Sequence, residues 1–241
     1  MTEDQAGLRC TVLSKQPLSE AEIAAHAAHA ADVLSTRDEL APFSALTVAD
    51  PPFDDVVRTL HGLHHVKFPS LAEAMCWSVL GVRVPMATAR SMRGALVARY
   101  GRPITVDGSE LWAFPEPADL AGATAAELTA LLRNSQRAGY LANVCEALPE
   151  ADEQFLRTAP YDEAEAWLRQ IKGVGEFAAA LVLVRGLGRM DHRPVETREM
   201  LAAAERIYGR ARPLGEIAEH YGAELGYWGF YVRNAGGAAS G

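Results

Sequence analysis

Between residues 162 and 196 the chain reads DEAEAWLRQIKGVGEFAAALVLVRGLGRMDHRPVE, and the two glycines flanking a single valine there constrain the fold more than anything else in the sequence. Upstream, Asp162 and Glu165 form a capping pair, and Trp167, Leu168 and Ile171 recur at helical spacing, so the pattern predicts a helix running into Ile171. Gly173 and Gly175 bracket Val174; glycine takes positive φ at little cost, so the chain can turn sharply and leave backbone N–H groups uncovered. Phe177, Leu181 and Val184 then repeat at i, i+4 and i+7, which starts a second helix directly after the turn. Bare amides beside the positive end of a helix make an anion site. The same turn also serves simply to pack two helices, and the hairpin alone does not choose between these readings.

The rest of the chain reads as further helices. Ser19 and Glu22 form a capping-box pattern that opens an alanine-rich helix ending near Thr36, followed by a linker. Helices are predicted over 53–63, 71–80, 85–100 with Gly101 as the stop, 125–134 and 137–148, then 197–208 and 214–232, with GGAASG as a frayed tail. LRCTVL near the start is a short strand candidate with little to pair with. A length of 241 residues, 49% hydrophobic and 22% charged, supports one large or two modest cores.

Charge limits the partners. A net charge of −8 excludes phosphate binding over the whole surface, because Lys and Arg supply most nonspecific affinity for nucleic acid. The charge is segregated, however. Residues 74–106 contain no Asp or Glu but carry Arg83, Arg90, Arg93, Arg99 and Arg102, whereas Glu146, Glu150, Asp152, Glu153, Asp162, Glu163 and Glu165 cluster elsewhere. Cys10, Cys76 and Cys145 are odd in number and widely spaced, so they spell neither a disulfide framework nor a metal-ligand set. His61, His64 and His65 lie close together but lack a cysteine or carboxylate partner and read as surface or packing residues. No apolar run reaches the roughly 20 residues that span a bilayer, and MTEDQAG lacks the basic start of a signal peptide, so a cytoplasmic protein without a membrane role is expected.

Several segments together carry a family resemblance. IKGVGEFAAALVLVRG resembles the helix-hairpin-helix of the HhH-GPD superfamily of DNA glycosylases, and RPVET resembles that family's loop ending in the catalytic carboxylate. LAEAMCWSVLGVRVPMATARSMRGALVARYG is similar to the helix pair that crosses DNA in the 3-methyladenine DNA glycosylase II branch. FPEPADLAGATAAELTALLRNSQRAGYLANV is similar to that branch's next helices. The resemblance covers residues 50–235 in a consistent order. It implies an all-α fold of two lobes, with residues 1–65 and 161–241 in a terminal lobe carrying the hairpin and residues 66–160 in a middle bundle. It also implies a monomer acting on double-stranded DNA at the bacterial nucleoid, with a base taken into the cleft between the lobes.

The resemblance assigns roles by position. Glu196 takes the place of the catalytic carboxylate, whose negative charge stabilises an oxocarbenium-like sugar or orients water; the family residue there is Asp, so Glu196 is one methylene longer. Asp191, five residues earlier, aligns with a non-catalytic position and reads as a cap or salt link of the loop. Phe177 stands where bifunctional members carry a Schiff-base lysine, which implies a monofunctional hydrolase. Phe177 and Trp228, with Trp77 and Tyr231 as weaker candidates, are assigned to the base pocket, where an electron-rich ring favours a cationic, 3-methyladenine-like purine. Lys172, Gly173, Val174 and Gly175 are assigned to the DNA backbone. Val82 or Arg83 is assigned to the gap left by the flipped nucleotide, in a turn that lacks the family's Gln. No metal site and no cofactor are expected: the iron–sulfur cysteines of related branches are missing, and only a monovalent cation at the hairpin backbone is allowed for. The glutamate and the missing Gln leave open an alternative, a non-catalytic relative that binds damaged or distorted DNA without excision.

Overall fold

The computed structural model describes residues 2–4, 7–14, 16–192, 194 and 197–238. Two short strands, β1 (Thr2–Asp4) and β2 (Gly7–Arg9), pair antiparallel at the start; of the strand expected in LRCTVL only Leu8 and Arg9 are paired, with Glu3 and Thr2, and residues 10–13 are not strand. α1 (Glu20–Val33) opens with the expected capping box: the Glu22 amide donates to Ser19 Oγ at 3.3 Å and the Ser19 amide to Glu22 Oε2 at 2.8 Å. The expected linker after it contains a further helix, α2 (Ala41–Val48), with Pro42 in its first turn. α3 (Pro51–Thr59) precedes α4 (Leu71–Leu80), which has the expected bounds, and α5 (Met86–Tyr100), which ends at Gly101 as expected but starts one residue later, with Pro85 as its cap position.

A hairpin of β3 (Arg102–Val106) and β4 (Ser109–Ala113) then departs from the all-helical expectation. Its turn is Asp107-Gly108, both at positive φ, the Asp-Gly signal of a two-residue hairpin loop. The helices resume with α6 (Pro117–Leu120), α7 (Ala125–Leu132), α8 (Ser135–Ala147), α9 (Glu153–Thr158) and α10 (Tyr161–Arg169). α10 starts at Tyr161 after Pro160 rather than at a cap formed by Asp162, whose place is in the first turn, where its charge still suits the dipole. α11 (Glu176–Leu181) continues as a wider π-turn over Val182–Gly186. α12 (Arg198–Tyr208) follows, capped by Thr197 Oγ1 on the Met200 amide. The helix expected over 214–232 is broken into α13 (Leu214–Tyr221) and α14 (Leu225–Ala238), because Gly222 at φ +50° interrupts it.

The buried side chains fall into two cores. The larger runs from Ala72 on α4 through α7, α8 and α10 to Leu187, and the smaller joins Phe43 and Phe53 to Met190 and the buried faces of α12, α13 and α14. The division expected at residue 161 is therefore displaced. Ala164, Leu168, Ile171, Val174 and Ala178 of the helix-hairpin-helix pack into the middle core, and the cores part between Leu187 and Met190. α10 and α11 pack against each other as the two helices of the hairpin, and their buried faces join the larger core together.

A buried carboxylate organises the smaller core. Asp50 Oδ2 accepts from Tyr208 Oη at 2.8 Å and Tyr221 Oη at 2.9 Å, and Arg212 Nη1 lies at 3.4 Å. Trp228 Nε1 in turn donates to Tyr208 Oη at 3.0 Å, giving a chain from indole to phenol to carboxylate. Asp50→Ala should leave two phenols and a guanidinium without their acceptor and lower stability by about 3 kcal/mol, read as a drop in the urea midpoint at unchanged slope.

Candidate functional site

The stripe of Phe177, Ala180, Leu181 and Val184, which as a sequence pattern looks like a core-facing surface, forms one wall of a cavity of about 300 Å³. Arg185 extends that wall. Across from it stands α14, presenting Gly226, Gly229, Phe230, Arg233 and Asn234, at helical spacing on one face. His65, His192 and Pro194 complete the lining. The cavity lies between a helix of the larger core and a helix of the smaller one, and its volume is at the low end of ligand pockets, suited to a single heterocycle. A second hollow of about 390 Å³ shares Phe177 and Arg233 with it and is lined by Thr197, Met200, Ala203 and Val232.

Two glycines of α14 allow the wall to close. The Gly226 amide donates to Met190 O at 2.9 Å, and a Cβ on Gly226 would sit 2.5 Å from that oxygen. A Cβ on Gly229 would lie 2.6 Å from Pro194 Cγ. Only residues without a side chain let the segment after Met190 cross the helix at this distance. Arg189 fixes the start of the crossing. Its guanidinium holds Asp191 bidentately at 2.9 and 2.7 Å and donates to Leu156 O at 2.9 Å, so Asp191 has the salt-link role read from the sequence.

The two histidines of the lining are buried and neutral. His65 is 3% exposed and neither ring nitrogen has a hydrogen-bond partner among the described residues. Burial first, then the charges of Arg185 and Lys67, lower its pKa to about 3. His192 is lowered to about 4 by burial and by Arg233, against a smaller opposing effect of Asp191. Its Nδ1 lies 2.6 Å from Tyr161 Oη. Burial raises the Tyr161 phenol above its ordinary value, so that phenol stays protonated.

The structure distributes the expected site residues unevenly. Phe177 is 45% exposed on the cavity wall, where it borders both hollows. Trp228 does not line either hollow. It is 1% exposed, packed against Phe53 at 6.2 Å and tied to Tyr208, because the smaller core takes up its large apolar surface and the indole N–H finds a partner there. Tyr231 is likewise a core residue, packed 5.4 Å from Phe43. Trp77 is half-buried on α4, near Phe68 and over Gly81, and also lines neither hollow. The aromatic that joins Phe177 is Phe230, which the sequence did not single out. Arg185, Arg233, Asn234, His65 and His192 were missed as well, since residues from distant segments meet only once α11 and α14 face each other. Glu196 lies outside the described residues; its described neighbours Pro194 and Thr197 line the first and second hollow respectively.

The hairpin and the wedge turn are both held by side chains. Gly173 has φ +107°, and a Cβ there would fall 2.4 Å from the Tyr140 ring. Val174 is buried and its amide returns to Ile171 O at 2.9 Å, while Lys172 is exposed and its carbonyl accepts from Asn143 Nδ2 at 2.9 Å. Gly175 caps α11 with no side chain over the helix start. In the turn between α4 and α5, Arg137 donates to Val79 O at 2.6 Å, to Leu80 O at 3.3 Å and to Val82 O, satisfying the end of α4. Val82 is half-buried against the larger core, whereas Arg83 is exposed at φ +54°, so Arg83 is the side chain the turn projects. The basic stretch is smaller than it reads: Arg93 is engaged by Glu73 at 2.6 Å and Arg102 by Asp119 at 2.7 Å.

Comparison with known proteins agrees with this architecture. No family model matches the chain. A DNA-3-methyladenine glycosylase of Bacillus subtilis (strain 168) is 30% identical over 152 residues, which cover 62% of this chain and 50% of that protein. The chain thus spans about half the length of that relative. Among solved structures, a 3-methyladenine DNA-glycosylase from Archaeoglobus fulgidus superposes with a TM-score of 0.75 at 19% identity, covering 90% of this chain and 76% of the other. An 8-oxoguanine glycosylase/lyase of Clostridium acetobutylicum, in complex with double-stranded DNA containing cytosine opposite 8-oxoguanine, gives 0.72 at 16% identity, covering 89% and 74%. The chain has the fold of the HhH-GPD DNA glycosylases. Within that glycosylase fold, the cavity lies beside the helix that follows the hairpin, and no described helix is long and apolar enough to cross a membrane.

The neutral histidines carry a pH signature. A histidine whose pKa falls on folding leaves the unfolded chain binding more protons between its folded and unfolded values, so stability decreases as pH drops through that window. With folded values of about 3 for His65 and about 4 for His192, stability should decline below about pH 6.5. Each should contribute a loss of about 1.5 kcal/mol by pH 5. Urea titrations at pH 7 and pH 5 check this, and His65→Phe should reduce the difference.

Proposed function

We propose that the chain is a monofunctional DNA glycosylase that flips an alkylated purine out of duplex DNA and hydrolyses its N-glycosidic bond. The observation that carries this reading is the cavity between α11 and α14, sized for one base and bordered by the crossing segment that leads to Glu196. The curated relative named for 3-methyladenine supports the lesion class.

In this reading the exposed hairpin residues Lys172 and Gly175 meet a phosphate, with the α11 start supplying its dipole and backbone N–H groups. The carbonyls of Ile171 and Lys172 each already accept one protein N–H and keep a second lone pair, so the turn fits a monovalent cation between carbonyl and phosphate. Arg83, exposed on a turn whose geometry Arg137 fixes, fills the space the flipped nucleotide leaves. Phe177 and Phe230 offer the base apolar and aromatic surface, and Trp228 supports Phe53 and Tyr208 from the core instead.

Glu196 acts on the sugar. As the C1′–N bond lengthens, its electrons go to the base and positive charge builds on the deoxyribose, where a carboxylate stabilises it. Water then bonds to C1′, giving up its proton, and the departing base takes a proton. In the sequence Glu196 immediately precedes Thr197, the cap of α12, two residues before that helix begins at Arg198. Phe177 offers no amine for a Schiff base, and Lys67 is held by Asp32 at 2.7 Å.

Chromatography of free bases released from a panel of alkylated duplexes tests the reading. Wild type should release base, and Glu196→Gln should slow release by at least about a hundredfold while leaving salt-sensitive DNA affinity in place. Borohydride should trap no covalent complex. Arg83→Ala should lower affinity for duplex without abolishing release from single strands. DNA affinity with no base released by wild type supports the non-catalytic alternative.

A further inference from the structure

A helix leaves its last carbonyls without intrahelical donors, and those of α4 are closed from a distant segment. Arg137 Nη1 donates to Val79 O at 2.6 Å and to Leu80 O at 3.3 Å, and Nη2 donates to Val82 O, so one guanidinium spans the helix end and the turn after it. The Arg137 amide donates to Asn134 Oδ1 at 3.0 Å, which fixes the residue in the first turn of α8. A cation in a helix's first turn opposes that helix's dipole, and here its charge reaches instead to the negative end of α4. No carboxylate pairs with Arg137 among the described residues. Nothing local to α8 accounts for an arginine at this position; the contact made 55 to 58 residues away does.

The segment held in this way is under backbone strain. Arg83 has φ +54°, a conformation that a residue with a Cβ adopts at a cost and that glycine takes more cheaply. Strain of this kind persists where surrounding contacts over-determine it, and it gathers at sites that act on a ligand. The neighbours of Arg83 supply those contacts. Val82 is bound through its carbonyl to Arg137, and Val82 and Val84 both pack half-buried against the larger core. Arg83 stands exposed between them, with no hydrogen-bond, ion-pair or ring partner among the described residues. The turn alone does not require an arginine there. A side chain that must enter a base stack does benefit, because a backbone held in advance loses little freedom when the side chain inserts.

We propose that Arg137 is a positioning residue for base extrusion: it ties the carbonyls of Val79, Leu80 and Val82 to α8 and so holds Arg83 in the direction in which that side chain enters the duplex. Arg137 itself meets no DNA, because its guanidinium is turned onto the protein backbone, and its effect on extrusion passes through Arg83. The assignment rests on the part given to Arg83 in the glycosylase reading above and adds the residue on which that part depends.

The test reads extrusion instead of excision, so it does not depend on Glu196. A duplex carries 2-aminopurine opposite cytosine at its centre, and the fluorescence of this adenine analogue rises when it leaves the stack. At saturating protein, wild type should raise the signal, Arg83→Ala should reduce the rise at least about fivefold, and Arg137→Gln should reduce it about threefold. The double variant should match Arg83→Ala alone, since a residue that acts only through Arg83 has nothing left to act on. Arg137→Lys keeps a cation at the end of α4 but cannot fork across three carbonyls; it should fall between wild type and Arg137→Gln, with its urea midpoint showing that it is folded. Losses that multiply in the double variant are those of a merely structural residue, and they overturn the inference while leaving the glycosylase reading intact. An unchanged rise in folded Arg137→Lys and Arg137→Gln, or in Arg83→Ala, does the same. Absence of any rise with wild type also overturns the inference, and base release from alkylated duplexes, measured separately, then decides the glycosylase reading.

Discussion

The site depends on the close crossing of the segment after Met190 over α14. The Gly226 amide meets Met190 O at 2.9 Å, and Pro194 rests where a Gly229 side chain would be. This crossing places the smaller core's last helix opposite α11, and it brings the chain from the end of the hairpin helix past the cavity to the cap of α12. A larger residue at either glycine would push the segment off the helix, since packed interiors absorb a displaced backbone poorly. Arg189, bound to Asp191 and Leu156 O, anchors the same segment to the larger core, so the crossing is held from both lobes.

Around this crossing, aromatic residues divide between structure and site by what their polar ends can reach. Trp228, Tyr208 and Tyr221 converge on Asp50, and a hydrogen-bonded chain of this kind keeps large rings in the core. Phe177 and Phe230 have no polar end to satisfy and can stand at a cavity wall. The polar character of the cavity comes instead from Arg185, Arg233, His65 and His192, and burial first, then the neighbouring positive charges, keeps the two histidines neutral. Charge and aromaticity therefore come from different residues here: Phe177 and Phe230 offer ring surface, and Arg185 and Arg233 carry the charge.

The local signals in the sequence translated well where a single segment determined the outcome. The Ser19–Glu22 capping box, the bounds of α4, the end of α5 at Gly101 and the glycine hairpin before α11 all depend on neighbours within a few residues. Where a signal competed with another, it failed. Pro160 set the start of α10 ahead of the Asp162–Glu165 pair, Gly222 split the last predicted helix, and Asp107-Gly108 folded back a hairpin that the helical reading passed over. Lobe membership was not legible either, because the stripe Leu168, Ile171 and Val174 records that a face is buried and not which core buries it.

By itself the sequence determined the helical architecture, the resemblance that the comparisons support, and the presence of a glycine turn followed by an apolar stripe, since caps, turns and periodicity are local properties of the chain. Only the tertiary structure decided what the stripe faces. The same spacing that would serve a core makes a cavity wall when the opposing helix carries glycines, and Trp228 becomes a structural residue when Tyr208 takes its N–H. The donors that meet across that cavity come from segments as far apart in sequence as His65 and Arg233, and no pattern along the chain records a contact made only when two cores pack side by side.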